Sequence, residues 1–137
     1  MYLNMAPVYW MSKKQTRVET SSFRSEFIAM KQCTEYVRGL RYKLRMLCIT
    51  CEGCTFVYGD NQSVLCSTSI PESTPKKKSQ GIAYHFVRKG CARNVWCPEY
   101  VNIHLNPADL LTRHPDDGVK RSGLVRMIIH HLIGKLE

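Results

Sequence analysis

The sequence predicts an α/β protein in which helices flank a mixed, partly antiparallel sheet. An extended segment over residues 1–12 comes first, a long helix over residues 23–47 follows, and strands then alternate with helices to the C-terminus. Ligands of such sheets gather beyond the carboxyl ends of the strands. Side chains at those ends are therefore the first candidates for a functional site.

The N-terminal segment has strand character. Val8, Tyr9 and Trp10 favour a strand, and Pro7 favours a turn or an edge position. Because the segment starts so close to Met1, we expect an incomplete hairpin in which the first strand of the sheet is missing.

The long helix has the most regular pattern in the sequence. Its apolar residues recur at three- and four-residue steps and so form one helical face. Ser21 or Ser22 can cap its N-terminus. The apolar face consists of Phe27, Met30, Val37, Leu40, Leu44 and Leu47.

The middle of the chain predicts a buried strand over residues 55–59 that ends at Asp60. A short helix over residues 62–67 and a loop over residues 70–73 follow. Thr74 can then cap a helix with Pro75 at its first position, and Gly90 stops that helix after Lys89.

The last third of the chain predicts a strand over residues 95–104, with an edge or a bulge at Pro98. Asn106 then caps a short helix that runs to Arg113. After a loop over residues 114–118, an amphipathic helix closes the chain. We therefore expect a domain over residues 1–115 and a C-terminal helix over residues 116–137 that packs on it or is appended to it.

Composition indicates a folded, basic protein. The 137 residues are 44% hydrophobic and 23% charged, which excludes a disordered tail and fits one domain. The formal net charge of +9 indicates a polyanionic partner such as nucleic acid, and a domain that is simply basic is the alternative.

The seven cysteines form no regular disulfide framework. Reduced thiols in an intracellular protein, in cytoplasm or nucleus, fit this pattern, and neither a signal peptide nor a transmembrane stretch is evident. Cys48, Cys51 and Cys54 have spacings that can hold zinc or an iron–sulfur cluster, although no fourth ligand is evident. Small buried apolar side chains are the alternative.

Three carboxylates are candidates for metal binding: Glu26 early in the long helix, Asp60 at a strand end and Asp109 in a later helix. Hydrolysis of a phosphodiester with two Mg²⁺ ions needs carboxylates from several elements, because hard cations prefer oxygen ligands. Each acid also has a structural explanation, as a partner of a helix dipole or as a cap.

Four motifs resemble the ribonuclease H region of copia-type retrotransposon Pol polyproteins. The first motif joins residues 12–15, Ser-Lys-Lys-Gln, to residues 21–27, which match the family pattern S-S-x-x-x-E-[YF]. Residues 59–64 are similar to its D-N-Q-S-A-I box. Residues 78–88, which end in Tyr-His-Phe-Val-Arg, and residues 108–113, Ala-Asp-Leu-Leu-Thr-Arg, are similar to two further boxes. The matches occur in the family's order over about 100 residues.

The resemblance implies a ribonuclease H-like fold, with Glu26, Asp60 and Asp109 as the metal-binding carboxylates. It further implies hydrolysis of the RNA strand of an RNA/DNA hybrid, next to the reverse transcriptase region of a parent polyprotein. The family also places a first catalytic aspartate upstream, in a D-x-D-W-A-like box. This chain has no acidic residue before Glu19, so we expect little or no nuclease activity from it alone.

The remaining candidate residues each have a functional role and a structural explanation as the alternative. His104, five residues before Asp109, can act as a proton donor near the metals, or be an exposed residue at a strand end. Lys78, His85, Arg88 and Lys89 share a helical face that can grip phosphates, or is simply solvated. Two rival functions remain open: a non-catalytic nucleic-acid-binding remnant and a zinc-stabilised interaction module.

Overall fold

The computed structural model describes residues 1–3, 6–13, 21–69, 81–112 and 118–133. The elements, in chain order, are β1 (Tyr2–Leu3), β2 (Ala6–Pro7), α1 (Ser22–Met46), β3 (Thr55–Gly59), α2 (Gln62–Ser69), α3 (Gly81–Ala92), β4 (Trp96–Tyr100), α4 (Asp109–Thr112) and α5 (Gly118–Ile133). The predicted combination of helices and strands is confirmed. The described strands form two two-stranded sheets, β1–β2 antiparallel and β3–β4 parallel, so the single mixed sheet stays a prediction. The chain divides into two units, Arg17–Tyr100 and a second that joins Met1–Thr16 to Val101–Glu137.

The larger unit, Arg17–Tyr100, is built around the apolar face of α1. Phe27 and Met30 of that face are buried together with residues of α2 and α3. The ring of Phe27 stacks on that of Tyr84 with 5.5 Å between centroids. Such burial is the main stabilising contribution in a unit of this size. The shared core comprises Phe27, Met30, Val64, Leu65, Tyr84 and Val87.

Helix α1 ends one residue before the predicted Leu47, in a Schellman motif. The Cys48 N–H donates to the carbonyl of Arg45 and the Ile49 N–H to that of Leu44, each at 2.9 Å. Cys48 takes the left-handed conformation (φ 58°) in which glycine is the usual residue. The glycine that normally marks such a helix end in a sequence is therefore absent here.

Strands β3 and β4 form a parallel pair in which Thr55 lies opposite Trp96 and Gly59 lies opposite Tyr100. Val57 is buried, whereas Phe56 and Tyr58 on the other face are exposed. The prediction that β3 is a buried strand is therefore wrong for one of its two faces. Pro98 lies within β4 in unbroken register, at an edge as predicted, without a bulge.

Helix α3 continues past Gly90 to Ala92, so the prediction that this glycine stops the helix is wrong. Asn94, at φ 54°, ends it instead, because the Val95 N–H donates to the carbonyl of Gly90 and the Asn94 N–H to that of Cys91. Gly90 is buried against the Trp96 indole, and that contact explains the glycine.

The second unit contains β1, β2, α4 and α5. Strands β1 and β2 form the expected hairpin, with Tyr2 opposite Pro7, but residues 8–10 are not in a strand, contrary to the prediction. Strand β4 ends at Tyr100, and a 3₁₀ turn over Ile103–Leu105 replaces the rest of the predicted strand. In α5, Leu124 is almost completely buried, as the predicted apolar stripe requires.

Some predictions fall outside the described residues. They are the loop at 70–73, the helix start at Thr74 and Pro75, Arg113, and the proposed domain boundary at residue 115. Within the described residues, no helix combines the length and the apolarity needed to span a bilayer.

Candidate functional site

The direction of α1 relative to β3 decides which residues share an end of the larger unit. Arg41 donates to the Thr55 hydroxyl at 3.0 Å, so it lies at the start of β3. The Met30 Cε atom lies 3.8 Å from where a Cβ of Gly59 would be, at the end of β3. Eleven helical residues span about 16 Å and four strand residues about 13 Å, so both contacts fit one antiparallel alignment. The N-terminal turns of α1 therefore lie at the carboxyl end of β3.

Glu26 lies one helical turn before Met30, about 6 Å further along the helix axis. It is therefore at the same end of the unit as Asp60, the residue that follows β3. One oxygen of its carboxylate, Oε2, is buried and has no hydrogen-bond partner among the described residues. A buried carboxylate oxygen is costly unless something binds it, and so this atom fits an oxygen ligand for a cation.

Asp60 lies between β3 and α2, and its side chain is half-buried. The cap of α2 is the next residue, because Asn61 Oδ1 accepts from the Val64 N–H at 3.2 Å. The alternative explanation of Asp60, as the helix cap, is therefore not needed. The arrangement brings two of the three predicted acids, Glu26 and Asp60, to one end of the sheet.

Asp109 and His104 belong to the other unit. Asp109 is the first residue of α4 and is half-buried, and Asn106 Oδ1 accepts from the Ala108 N–H at 3.1 Å in the turn before it. His104 is exposed within the 3₁₀ turn, where its N–H donates to Asn102 Oδ1. The predicted approach of Asp109 to Glu26 and Asp60 stays a prediction.

Three of the four predicted phosphate-binding residues lie on α3, and Lys78 lies outside the described residues. His85 and Lys89, one turn apart, are exposed. The Arg88 guanidinium lies 5.2 Å from the centroid of the Tyr84 ring, and its side chain is half-buried. Arg88 therefore has a packing role as well as a charge on the basic face.

Two arginines of α1 hold the larger unit together, although the sequence gives no sign of it. Arg41 donates to the carbonyls of Cys51 and Gly53, at 2.9 and 3.0 Å, in addition to the Thr55 hydroxyl. It thereby fixes the segment that leads into β3. The Arg38 guanidinium lies 4.9 Å from the centroid of the Phe86 ring. Part of the charge on α1 is consequently structural.

The prediction of reduced thiols is wrong for two of the seven cysteines, whereas the other five are free. Cys54, just before β3, is joined by a disulfide to Cys97 of β4, with 5.9 Å between Cα atoms. Cys48 is exposed and Cys51 is half-buried. Among the described residues, no group of three or more histidine, cysteine or acidic side chains is placed to hold a metal ion. Cys54 is thus engaged with Cys97 and not with its neighbours in the predicted zinc cluster.

Comparison with known proteins finds similarity to retrotransposon Pol polyproteins. The chain is 27% identical over 113 residues to the Retrovirus-related Pol polyprotein from transposon RE1 of Arabidopsis thaliana, and 26% identical over 113 residues to that from transposon RE2. Each match covers 82% of this chain and 8% of the relative, so the chain spans a small part of their length. No family model and no solved structure matches it. These similarities support an origin in a retrotransposon Pol polyprotein.

Proposed function

We propose that this chain is the ribonuclease H-like portion of a retrotransposon Pol polyprotein, built to hydrolyse the RNA strand of RNA/DNA hybrids. The observation that carries the proposal is the placement of Glu26 and Asp60 at the carboxyl end of β3, together with a buried oxygen of Glu26 that has no hydrogen-bond partner in the part of the chain that the structure describes. The similarity to Pol polyproteins supports the same reading. Four matching motifs in the family's order add to it.

Glu26, Asp60 and Asp109 would hold Mg²⁺ in this proposal. When bound, the metal supplies a hydroxide nucleophile at neutral pH and charge stabilisation for the leaving oxygen. Glu26 contributes a carboxylate held in place by a helix whose next residue, Phe27, is buried. Asp60 contributes one from a strand end. His104, exposed in its turn, is available to exchange a proton with solvent.

The exposed residues His85 and Lys89 would contact the hybrid's backbone, together with Arg88 and Lys78. Such contacts position a duplex without reading its base sequence. Because phosphate contacts release counterions, binding should weaken steeply with salt. The net charge of +9 favours the same partner.

A second candidate is a nucleic-acid-binding protein without turnover. It is favoured by the exposed basic residues His85 and Lys89 of α3, which can contact phosphates whether or not a metal ion is held nearby. Under this alternative the basic residues bind nucleic acid, while the acids hold metal too weakly for catalysis.

The deciding experiment follows cleavage of a labelled RNA/DNA hybrid with and without Mg²⁺, for the unmodified chain and for Asp60→Asn. Cleavage that needs Mg²⁺ and is lost in the variant supports the nuclease. Salt-sensitive binding without cleavage supports the second candidate. Neither cleavage nor salt-sensitive binding would reject both.

A metal-binding measurement gives a readout that does not depend on activity. We expect Mg²⁺ or Mn²⁺ to raise the unfolding temperature of the unmodified chain and to have a smaller effect on Glu26→Gln. Glu35→Gln is the matched control, because Glu35 is an exposed acid of the same helix whose partner is Lys31, at 2.7 Å. Equal metal effects on all three proteins would contradict a site at Glu26.

A further inference from the structure

We propose that Ser12 positions Asp109 and that Lys13 binds a backbone phosphate of the nucleic acid beside that acid. The role of Lys13 rests on the proposed function. The Ser12 hydroxyl donates to the carbonyl of Leu111 at 2.7 Å, across 99 residues of sequence. Leu111 belongs to α4, the helix that Asp109 begins, and both segments lie in the second unit. The segment that follows β2 is thereby joined to the helix of the third predicted acid.

Helix α4 is too short to hold its position by itself. It has four residues, far fewer than the roughly 12–15 at which an isolated helix becomes stable in water. Its start is fixed locally, because the Asp109 N–H donates to the carbonyl of Asn106 at 3.1 Å. The last carbonyls of a helix have no partner within the helix, and the Ser12 hydroxyl supplies one for Leu111. Ser12 therefore holds the end of α4 that the local turn leaves open.

The same hydrogen bond determines how close Lys13 comes to Asp109. Leu111 follows Asp109 by two residues, which is a rise of about 3 Å along a helix. Lys13 follows Ser12 directly, with about 3.8 Å between consecutive Cα atoms. A lysine carries its ammonium group on a flexible four-carbon stem. The ammonium group of Lys13 can therefore reach a phosphate group that is bound at Asp109.

The charge of Lys13 suits a phosphate at this place, and its side chain is exposed. A carboxylate repels the phosphate that a nuclease must bring to it, and a nearby cation offsets this repulsion. Lysine binds phosphate as a point charge, which suits a contact that reads no base sequence. Compensation of the α4 dipole is a weaker explanation, because a helix of four residues aligns few peptide groups.

Lys13 is tested by the salt dependence of binding to a labelled RNA/DNA hybrid, measured in chelator so that cleavage does not interfere. Each phosphate contact contributes about 0.9 to the slope of log K against log salt concentration for a duplex. We expect Lys13→Gln to reduce the slope by about one and Lys13→Arg to keep it. Lys43→Gln is the matched control and should keep the slope as well. Lys43 is an exposed lysine in the last turn of α1, at the other end of that helix from Glu26.

Ser12 is tested by hydrogen exchange of the α4 amides in the protein without metal or hybrid. Ser12→Ala removes the donor to Leu111, and we expect the Leu110 and Leu111 amides to exchange about fivefold faster. Ser12→Thr keeps the hydroxyl and should restore both the protection and the effect of Mg²⁺ on the unfolding temperature, which Ser12→Ala should reduce. Ser122→Ala is the matched control, because the Ser122 hydroxyl also donates to a backbone carbonyl, that of Val119 at 2.9 Å within α5.

The hybrid measurement distinguishes the role of Lys13 from the proposed function. An unmodified chain that binds no hybrid would reject both. Binding by the unmodified chain with the same salt slope in Lys13→Gln and Lys43→Gln would overturn the role of Lys13 and leave the proposed function standing. Exchange of the α4 amides that is equal in Ser12→Ala and Ser122→Ala would overturn the role of Ser12.

Discussion

The Trp96 indole lies against the backbone of Gly90, and its Nε1–H donates to the carbonyl of Val87 at 3.0 Å in the buried interior. A Cβ atom on Gly90 would overlap the indole ring. The same indole packs beside the Phe86 ring, with 5.6 Å between centroids. The contact between Trp96 and Gly90 holds the start of β4 against α3. It therefore determines how this strand and helix pack in the larger unit.

Gly90→Ala should therefore destabilise the protein. Overpacking of a full interior costs about 1–3 kcal/mol, and the better helix propensity of alanine offsets about 1 kcal/mol of it. Because the added Cβ would overlap the indole directly, the cost lies at the upper end of that range, and we expect the free energy of unfolding, measured by urea denaturation, to fall by about 2 kcal/mol. Gly39→Ala is the control, because Gly39 lies in α1 with open space around it, and there alanine should add stability. Equal effects of the two substitutions would contradict the Trp96 contact.

Removing the Cys54–Cys97 disulfide should weaken the sheet at its amino end. The bond closes a segment with a sequence separation of 43 residues, and loops of this size typically contribute about 2–4 kcal/mol. Cys97→Ser should therefore lower the free energy of unfolding by a similar amount. A reductant should do the same to the unmodified protein and nothing further to the variant. Cys66→Ser, at an exposed free cysteine, should leave stability unchanged.

Arg41→Met should loosen the entry into β3. The substitution keeps most of the apolar stem but removes donors to Thr55 and to the carbonyls of Cys51 and Gly53. Hydrogen bonds to charged groups contribute about 1.5–3 kcal/mol, and we expect a loss of about 2 kcal/mol in urea denaturation. Arg45→Met, at an exposed position one turn later, is the matched control and should change stability little. A loss of the same size in both variants would argue against the role of Arg41.

The free thiols should differ in reactivity. Burial raises the pKa of Cys33 and of Cys91 above the ordinary 9.0, which lowers the fraction of each that is reactive thiolate, and reagents reach the exposed Cys48 and Cys66 more easily. Alkylation followed by peptide mass spectrometry should label the exposed pair first. If Cys33 reacted as fast as Cys66 in the native state, the burial of Cys33 would be contradicted.

The raised pKa values of Cys33 and Cys91 also predict that the free energy of unfolding falls at high pH. Because the folded pKa values of Cys33 and Cys91 lie above the unfolded value, their contribution is fully present below about pH 9 and is lost as the pH rises further. Unfolding measured across the alkaline range should show this loss. Cys33→Ala should reduce the slope of this loss, and the double variant Cys33→Ala/Cys91→Ala should reduce it further.

The local patterns of the sequence predict most of the helices. The spacing of apolar residues predicts α1 to within a residue or so, and Asn106, the predicted cap, accepts from the Ala108 N–H in the turn before α4. These features succeed because helix periodicity and capping depend on residues a few positions apart. Helix α1 ends at Met46, one residue before the predicted Leu47, although no glycine marks its Schellman motif.

Contacts between residues far apart in the sequence decided features of the fold that local sequence patterns could not predict. From the sequence, Gly90 is predicted to end a helix. Only the position of Trp96 shows that the glycine is there because the indole packs against its backbone. Cys54 reads as one of a cysteine cluster until β4 brings Cys97 beside it. Strand β3 reads as buried, yet one of its faces is open because burial depends on what packs against a strand.

For the candidate site, too, the sequence decided some features and the tertiary structure decided others. The sequence by itself singled out Glu26 and Asp60 as acids near the ends of elements, since residue type and local pattern are written in the chain. Only the tertiary structure placed them at the same end, because the Arg41 and Met30 contacts set the direction of α1 against β3. Residues 34 positions apart meet through packing, and packing is a property of the folded chain.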